Sequence, residues 1–252
     1  MRSKRNSLLF DSGGEKKRRG YGWRRGTDQN VKALGKYGVG LAQHVLGGVR
    51  AEDYSGDCDL WLDALDAGME AKTGSNKDGA KVRTGQLDSH LELARSGFPY
   101  SRYWYVFLKY RNAGSRNGNG GNRRLFQEMV RKESDVPDFL GKHTTGLYVL
   151  DISVVDAIRA KQEPVTVWSK NGDSYAIRIG WRFFDQLRDA QDEVLRSLDL
   201  DPAGYRLLSR RIRTTFEGHD MEFDFMSLLG RDVPKKKAVQ LFHLGAAALV
   251  AV

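Results

Sequence analysis

Gly56-Asp57-Cys58-Asp59-Leu60-Trp61-Leu62, followed by Gly68-Met69-Glu70-Ala71-Lys72-Thr73-Gly74, holds two short apolar runs with charged residues set into them. In a strand, residues i and i+2 point to the same face, so Glu70 and Lys72 project together. A short turn from Asp63 to Gly68 lets the two runs pair as a hairpin, which brings Asp59 beside Glu70. Two converging carboxylates make a hard-oxygen site for a divalent cation such as Mg²⁺ or Mn²⁺, with Asp57 as an accessory ligand. A lysine next to that ion orients a water or stabilises negative charge developing on a phosphate. The same residues also suit a charged hairpin on a solvated edge strand.

Working outward, Thr84-Gly85-Gln86-Leu87-Asp88-Ser89-His90-Leu91 opens a helix with Leu87, Leu91 and Ala94 on one face. Asp59, the Glu70-x-Lys72-x-Gly74 run, a polar loop and then Gln86 resemble the PD-(D/E)XK nuclease superfamily, in its Holliday junction resolvase and VRR-NUC branches. The resemblance covers roughly residues 31 to 110. It implies a restriction-endonuclease-like core that hydrolyses DNA phosphodiester bonds, with Asp59 and Glu70 holding Mg²⁺ or Mn²⁺. Lys72 would position the attacking water or stabilise the phosphate, and Gln86 would orient the water or hold the scissile phosphate. Branched or flapped DNA, as in recombination and phage or plasmid replication, is the implied substrate. A restriction-type enzyme that reads a sequence on duplex DNA is one alternative. A non-catalytic DNA-binding protein on a decayed nuclease core is another.

One departure bears on the metal. Many superfamily members carry an acid on the helix before the core hairpin, whereas Val31 to Leu46 contains no Asp or Glu. Gln43 occupies the expected position and brings a neutral oxygen. Glu52 or Asp53, in the following loop, are the substitutes. A second metal is therefore less expected than the first.

The chain has 252 residues, 40% hydrophobic and 29% charged, enough for one full domain with an extended core. Its net charge of +9 is unevenly spread. Residues 1 to 30 hold nine Lys/Arg against Asp11, Glu15 and Asp28, a net of +6, so the body carries only +3. The basic clusters Lys16-Lys17-Arg18-Arg19 and Arg24-Arg25 sit in a segment with little apolar content, which reads as a disordered tail. Such an arm attracts nucleic acid through counterion release, and Tyr21 and Trp23 between the clusters suit stacking on exposed bases. A merely solubilising terminus fits the same composition.

Cys58 is the only cysteine, which excludes an intrachain disulfide and a cysteine-cluster metal site. It is read as a buried structural thiol, compatible with a cytoplasmic or nucleoid-associated protein. The first 30 residues lack the continuous apolar core of a secretory signal, and Leu241 to Val252 is too short to span a bilayer as a helix. The five histidines show no zinc spacing, Gly38-x-Gly40 lacks the rest of a dinucleotide fingerprint, and no GxxxxGK[ST] or GxSxG occurs. No nucleotide cofactor is expected. His90, one turn after Gln86, is either within reach of the site or a surface histidine.

The rest of the pattern predicts an α/β fold, a mixed central sheet flanked by helices with a C-terminal elaboration. Val31 to Leu46 suits a helix, although glycines at 35, 38 and 40 each cost about 1 kcal/mol relative to Ala unless they allow a close approach. Tyr103 to Leu108 reads as a buried central strand. Asn112 to Arg124 reads as a flexible loop whose Arg116, Arg123 and Arg124 are candidate nucleic-acid contacts. A short helix over 125–132, a strand over 146–150, a helix over 154–161 and a hairpin across Lys170-Asn171-Gly172-Asp173 follow. Phe183 to Leu198 reads as one long helix. Pro202 to Arg213 reads as another, bearing Arg206, Arg210, Arg211 and Arg213 as a basic patch. The expected organisation is a basic tail (1–30), a catalytic domain (31–213) and an extension (214–252). Two strands to cut and one site per chain favour a two-fold dimer on DNA. The apolar terminus is a candidate contact for that dimer, or packs within its own domain.

Overall fold

The computed structural model of the protein describes residues 25–51, 58–77, 79–97, 99–116, 122–169 and 172–236. Helix α1 spans Arg25–Leu46 and lays Leu41, Ala42, Val45 and Leu46 into the core. Gly47 closes it at φ 77°, its N–H donating to Gln43 O at 2.7 Å, as a glycine past a helix end commonly does. The helix starts six residues before the expected position, inside the basic segment. A long-range contact supports this early start: Ala33 and Leu34 are buried against Phe126, Phe139 and Leu140, and Asn30 Nδ2 donates to Val130 O. Gly38 meets the sheet so closely that a Cβ there would lie 2.5 Å from Thr73 Cγ2. That contact explains a glycine in the middle of a helix.

Strands β1 (Val49–Arg50), β2 (Leu60–Leu62) and β3 (Ala67–Ser75) form an antiparallel run joined between β2 and β3 by a tight turn with Asp66 at φ 50°. After β4 (Ala80–Arg83), helix α2 (Thr84–Ser96) crosses over to β5 (Arg102–Tyr110), which is parallel to β3. The expected aromatic strand is thus central: Trp104, Val106 and Leu108 face α1, while Tyr103, Tyr105 and Phe107 face α2. This double burial is why it reads as a continuous apolar run.

The chain continues through the hairpin β6 (Ala113–Arg116) and β7 (Asn122–Arg124), then α3 (Leu125–Met129) and α4 (Val136–His143). Next come β8 (Thr144–Asp151), α5 (Ile152–Ala160) and the hairpin β9 (Val165–Ser169) and β10 (Gly172–Ile179). Helices α6 (Trp181–Asp189) and α7 (Gln191–Ser197) precede β11 (Tyr205–Phe216) and β12 (His219–Gly230). The main sheet has seven strands in the order β1-β2-β3-β5-β8-β12-β11, mixed in direction, with α1 on one face and α2, α5, α6 and α7 on the other. Strands β4, β10 and β9 form a separate three-stranded sheet over the second face. Among the described residues no helix is long and apolar enough to cross a membrane.

Four expectations are corrected. Residues 205–213 are strand, not helix: Ile212, Thr214 and Phe216 are buried and Arg211, Arg213 and Thr215 exposed, a period of two that four closely spaced arginines obscure. The run from 183 to 198 is two helices broken at Ala190, where apolar spacing continues in phase across the break and so gives no sign of it. Residues 113–116 and 122–124 pair as strands instead of forming a loop. The chain also crosses the expected boundary after Arg213 without leaving the domain. β11 runs through it, and β12 pairs in parallel with β8 inside the main sheet. Lys16, Lys17, Arg18, Arg19, Arg24, Asp57 and the apolar terminus lie outside the described residues, as do the side chains of Arg25, Arg116, Arg123 and Arg124.

Candidate active site

The short β2 ends its ladder early, and the consequences converge on β3. Asp59 stands just before β2, and its N–H donates to Met69 O at 2.8 Å. Its Oδ2 accepts the N–H of Ala71 at 2.8 Å, so the carboxylate takes the place of the next ladder partner on that edge. Ala71 packs towards α1, while its neighbours Glu70 and Lys72 project from the opposite face, towards α2. Glu70 is buried at 7% exposure.

Gln86 comes from the first turn of α2 and locks the group. Its Nε2 donates to Glu70 Oε1 at 2.7 Å, while its Oε1 accepts from Lys72 Nζ at 2.8 Å. Lys72 Nζ also donates to Glu70 Oε1. Three side chains from two elements therefore close a ring of hydrogen bonds, and Glu70 Oε1 takes two of them. Among the described residues Glu70 Oε2 and Asp59 Oδ1 carry no hydrogen bond.

Electrostatics sets the two acids against each other. Burial pushes the Asp59 carboxyl up to about 6, and the Glu70 charge adds to the rise. The Ala71 N–H, Lys72 and His90 oppose it without cancelling it. A half-buried carboxylate facing a buried one is an arrangement that a cation relieves. Among the described residues no third His, Cys, Asp or Glu joins them to make a ready cage, so the candidate metal site is the Asp59–Glu70 pair.

Asp59, Glu70, Lys72 and Gln86 are thus brought together as the sequence led us to expect, while three neighbours differ. Gln43 is turned away, its Nε2 donating to Gly48 O at 3.2 Å, so it brings no oxygen to the pair. His90 is not a surface residue. It is 1% exposed beneath the site, with Nδ1 bonded to Tyr105 OH at 2.9 Å and its ring stacked on Tyr103. Tyr105, opposite Glu70 in the β3–β5 register, is a floor residue that sequence reasoning treated only as core. Burial, reinforced by Glu70, holds its phenol far above the ordinary range, so it stays protonated. Only the strand register reveals this role. Cys58 is buried as expected, and burial pushes its thiol up to about 12, which makes it inert as a nucleophile.

No known protein family, curated protein or solved structure matches this chain.

Proposed function

We propose that this chain is a metal-dependent nuclease that hydrolyses phosphodiester bonds in DNA, with Asp59, Glu70, Lys72 and Gln86 as its active site. The observation that carries the reading is the hydrogen-bonded ring of Glu70, Lys72 and Gln86 beside the half-buried carboxylate of Asp59. The order of elements supports it too: α1, an antiparallel run ending in the Glu70–Lys72 strand, a crossover helix bearing Gln86, and a parallel strand. That order agrees with the core of the PD-(D/E)XK superfamily, which the motif resembles.

The pair fits a hard divalent ion, Mg²⁺ or Mn²⁺, because its unbonded oxygens are carboxylate oxygens and its mutual repulsion needs a positive charge. Asp59 and Glu70 would hold the ion, which supplies Lewis-acid polarisation of a phosphoryl oxygen. The chain's own residues do the remainder. Lys72, pinned by Glu70 and Gln86, presents its ammonium charge where negative charge develops on the phosphate, in a site already organised before the substrate arrives. Gln86 acts by positioning: its amide fixes both Lys72 and Glu70. Tyr105 and His90 form a hydrogen-bonded floor beneath the site, with Tyr105 in register with Glu70.

The test uses labelled linear, nicked, flapped and four-way-junction DNA with Mg²⁺ or Mn²⁺, comparing the wild type with Glu70→Ala. Metal-dependent cleavage strongest on branched substrates, and lost in the variant, is expected. No cleavage of any substrate with either ion rejects the activity. In that case calorimetric titration with Mn²⁺ that shows no binding, even with DNA present, favours the non-catalytic core. That second reading draws on the absence of an acid on α1 and the outward turn of Gln43.

A further inference from the structure

Among the described side chains, Tyr175 is the one aromatic that stands largely in solvent, at 57% exposure. Its place in the fold makes this informative. Residues 175, 177 and 179 of β10 point to one face, and the register sets Ile177 opposite Val82 and Ile179 opposite Ala80 of β4. Those four side chains are fully buried in the core between the small sheet and the main sheet. Tyr175 continues the same inward row, but one step past the end of β4, whose last residue, Arg83, is opposite Ala176. Beyond that point β10 pairs only with β9, where Thr166, opposite Tyr175, is exposed as well. A row that begins in the core therefore ends in an aromatic ring open to solvent.

This end of the row adjoins the active site. Thr84 opens α2, and its Oγ1 donates to Tyr175 O at 3.3 Å, which fastens Tyr175 to the start of that helix. Gln86, bonded to Lys72 and Glu70, follows two residues later in the same turn. Between them Gly85 leaves the surface clear: a Cβ there would meet nothing within 4 Å.

We propose that Tyr175 is a stacking platform for an unpaired nucleobase of the DNA whose scissile phosphate enters the Glu70–Lys72 site. This inference rests on the nuclease reading. The chemistry of the side chain and its continuity with the first turn of α2 identify the occupant. A tyrosine ring offers a flat, neutral surface to the face of any base, so the contact holds a strand without reading its sequence. A base inside a duplex is already stacked on its neighbours, whereas one in a flap or at a branch has a face to spare. The platform therefore favours DNA with a single-stranded portion next to the cut.

The experiment measures affinity of the full chain for labelled flapped DNA by fluorescence anisotropy in EDTA, so that binding is read without cleavage. Tyr175→Ala should weaken binding about tenfold, while Tyr175→Phe and Tyr175→Trp stay within about twofold of the wild type. The slope of log affinity against log salt should be the same in all of them, because no phosphate contact is removed. An abasic nucleotide stepped along the flap completes a double-mutant cycle. At one position the wild type should lose about tenfold and Tyr175→Ala no more than about twofold. Wild-type affinity in Tyr175→Ala, a loss in Tyr175→Phe equal to that in Tyr175→Ala, or an abasic scan with no sensitive position overturns the platform, even if the wild type cleaves DNA. Absence of DNA binding by the wild type overturns it as well. A position-specific loss shared with Tyr175→Ala, in a protein that cleaves nothing, upholds the platform and rejects the nuclease.

Discussion

Two half-buried carboxylates at the main sheet live in opposite company. Asp59 stands just before β2, beside Glu70 of β3, whereas Asp151 ends β8 opposite Trp104 of β5. Burial raises both acids above the ordinary carboxylate range. Asp151, however, is surrounded by donors: it accepts from Ser153 N at 3.0 Å and Ser153 Oγ at 2.6 Å, and from the backbone of Gly230. Its acidic neighbour, Asp232, is largely exposed and paired with Arg102 at 2.8 Å. Asp151 therefore caps α5, a structural task. Asp59 has a single backbone donor and faces the second buried carboxylate, Glu70. Burial alone does not separate the proposed metal ligand from the helix cap, whereas the groups around each do.

The sharpest way to break this contrast is to truncate one acid at each place and follow cleavage. Glu70→Ala removes the oxygens proposed to hold the metal and should cost about 10³-fold or more in rate. Lys72→Ala removes a fixed charge-stabilising group and should cost about 10²–10³-fold. Gln86→Ala leaves the charges in place but frees them to move, and a loss of about 10–10²-fold is expected. Asp151→Ala should leave the rate constant for cleavage within about twofold once measured at equal folded fraction. A large rate loss in Asp151→Ala, or none in Glu70→Ala, reverses the assignment of roles.

What was legible in the sequence follows the distance between partners. Asp59, Glu70 and Lys72 lie within one hairpin, so period-two alternation and a short turn were enough to bring them together, while Gln86, on the following helix, was singled out only by the motif's resemblance. The central strand was legible because burial on both faces leaves an uninterrupted apolar run. The edge of the sheet was not. The turn between β11 and β12 puts Glu217 and Gly218 both at positive φ, 49° and 78°, the conformation usually signalled by Asn-Gly or Asp-Gly. With Glu in the first position the hairpin signal is weak. The arginines before it then favoured a helical reading. The pairing of β4 with β10 joins residues almost a hundred positions apart, and no local pattern encodes it. Tyr105 as the floor of the site has the same origin: its role comes from register with Glu70.

A smaller effect sharpens the contrast through pH. Burial and Glu70 push the Asp59 carboxyl up to about 6 in the folded chain, from the ordinary value of about 4, so between those values the folded state binds more protons than the unfolded one. Its contribution is fully favourable below about 4 and is lost as pH rises through 6, up to about 3 kcal/mol. Asp59→Asn keeps an oxygen for the Ala71 N–H and removes the charge. Without metal it should be more stable than the wild type by about 2 kcal/mol at pH 8, with the gain vanishing near pH 4. Urea denaturation at both pH values measures this. The same variant should cleave poorly, so stability and activity move in opposite directions, as expected where an acid is retained for function.

The smallest effects belong to the structural acid. Asp151→Ala withdraws the acceptor for the first free N–H of α5 and leaves Ser153 Oγ, which also contacts Tyr205 OH at 2.8 Å, short of a partner. Loss of a cap costs about 0.5–2 kcal/mol. Part of that is offset because the burial that raised the Asp151 carboxyl no longer acts on a charge, so a net loss near about 1 kcal/mol is expected. Asp232→Ala, at an exposed ion pair with Arg102, should cost less still, about 0–1 kcal/mol. The order of the two carries the argument. If Asp232→Ala were the more damaging, its pairing with Arg102 would be the organising feature there and Asp151 a passenger. If Asp151→Ala raised stability at pH 8 as Asp59→Asn does, Asp151 would be a strained acid, and that end of the sheet would need a ligand of its own.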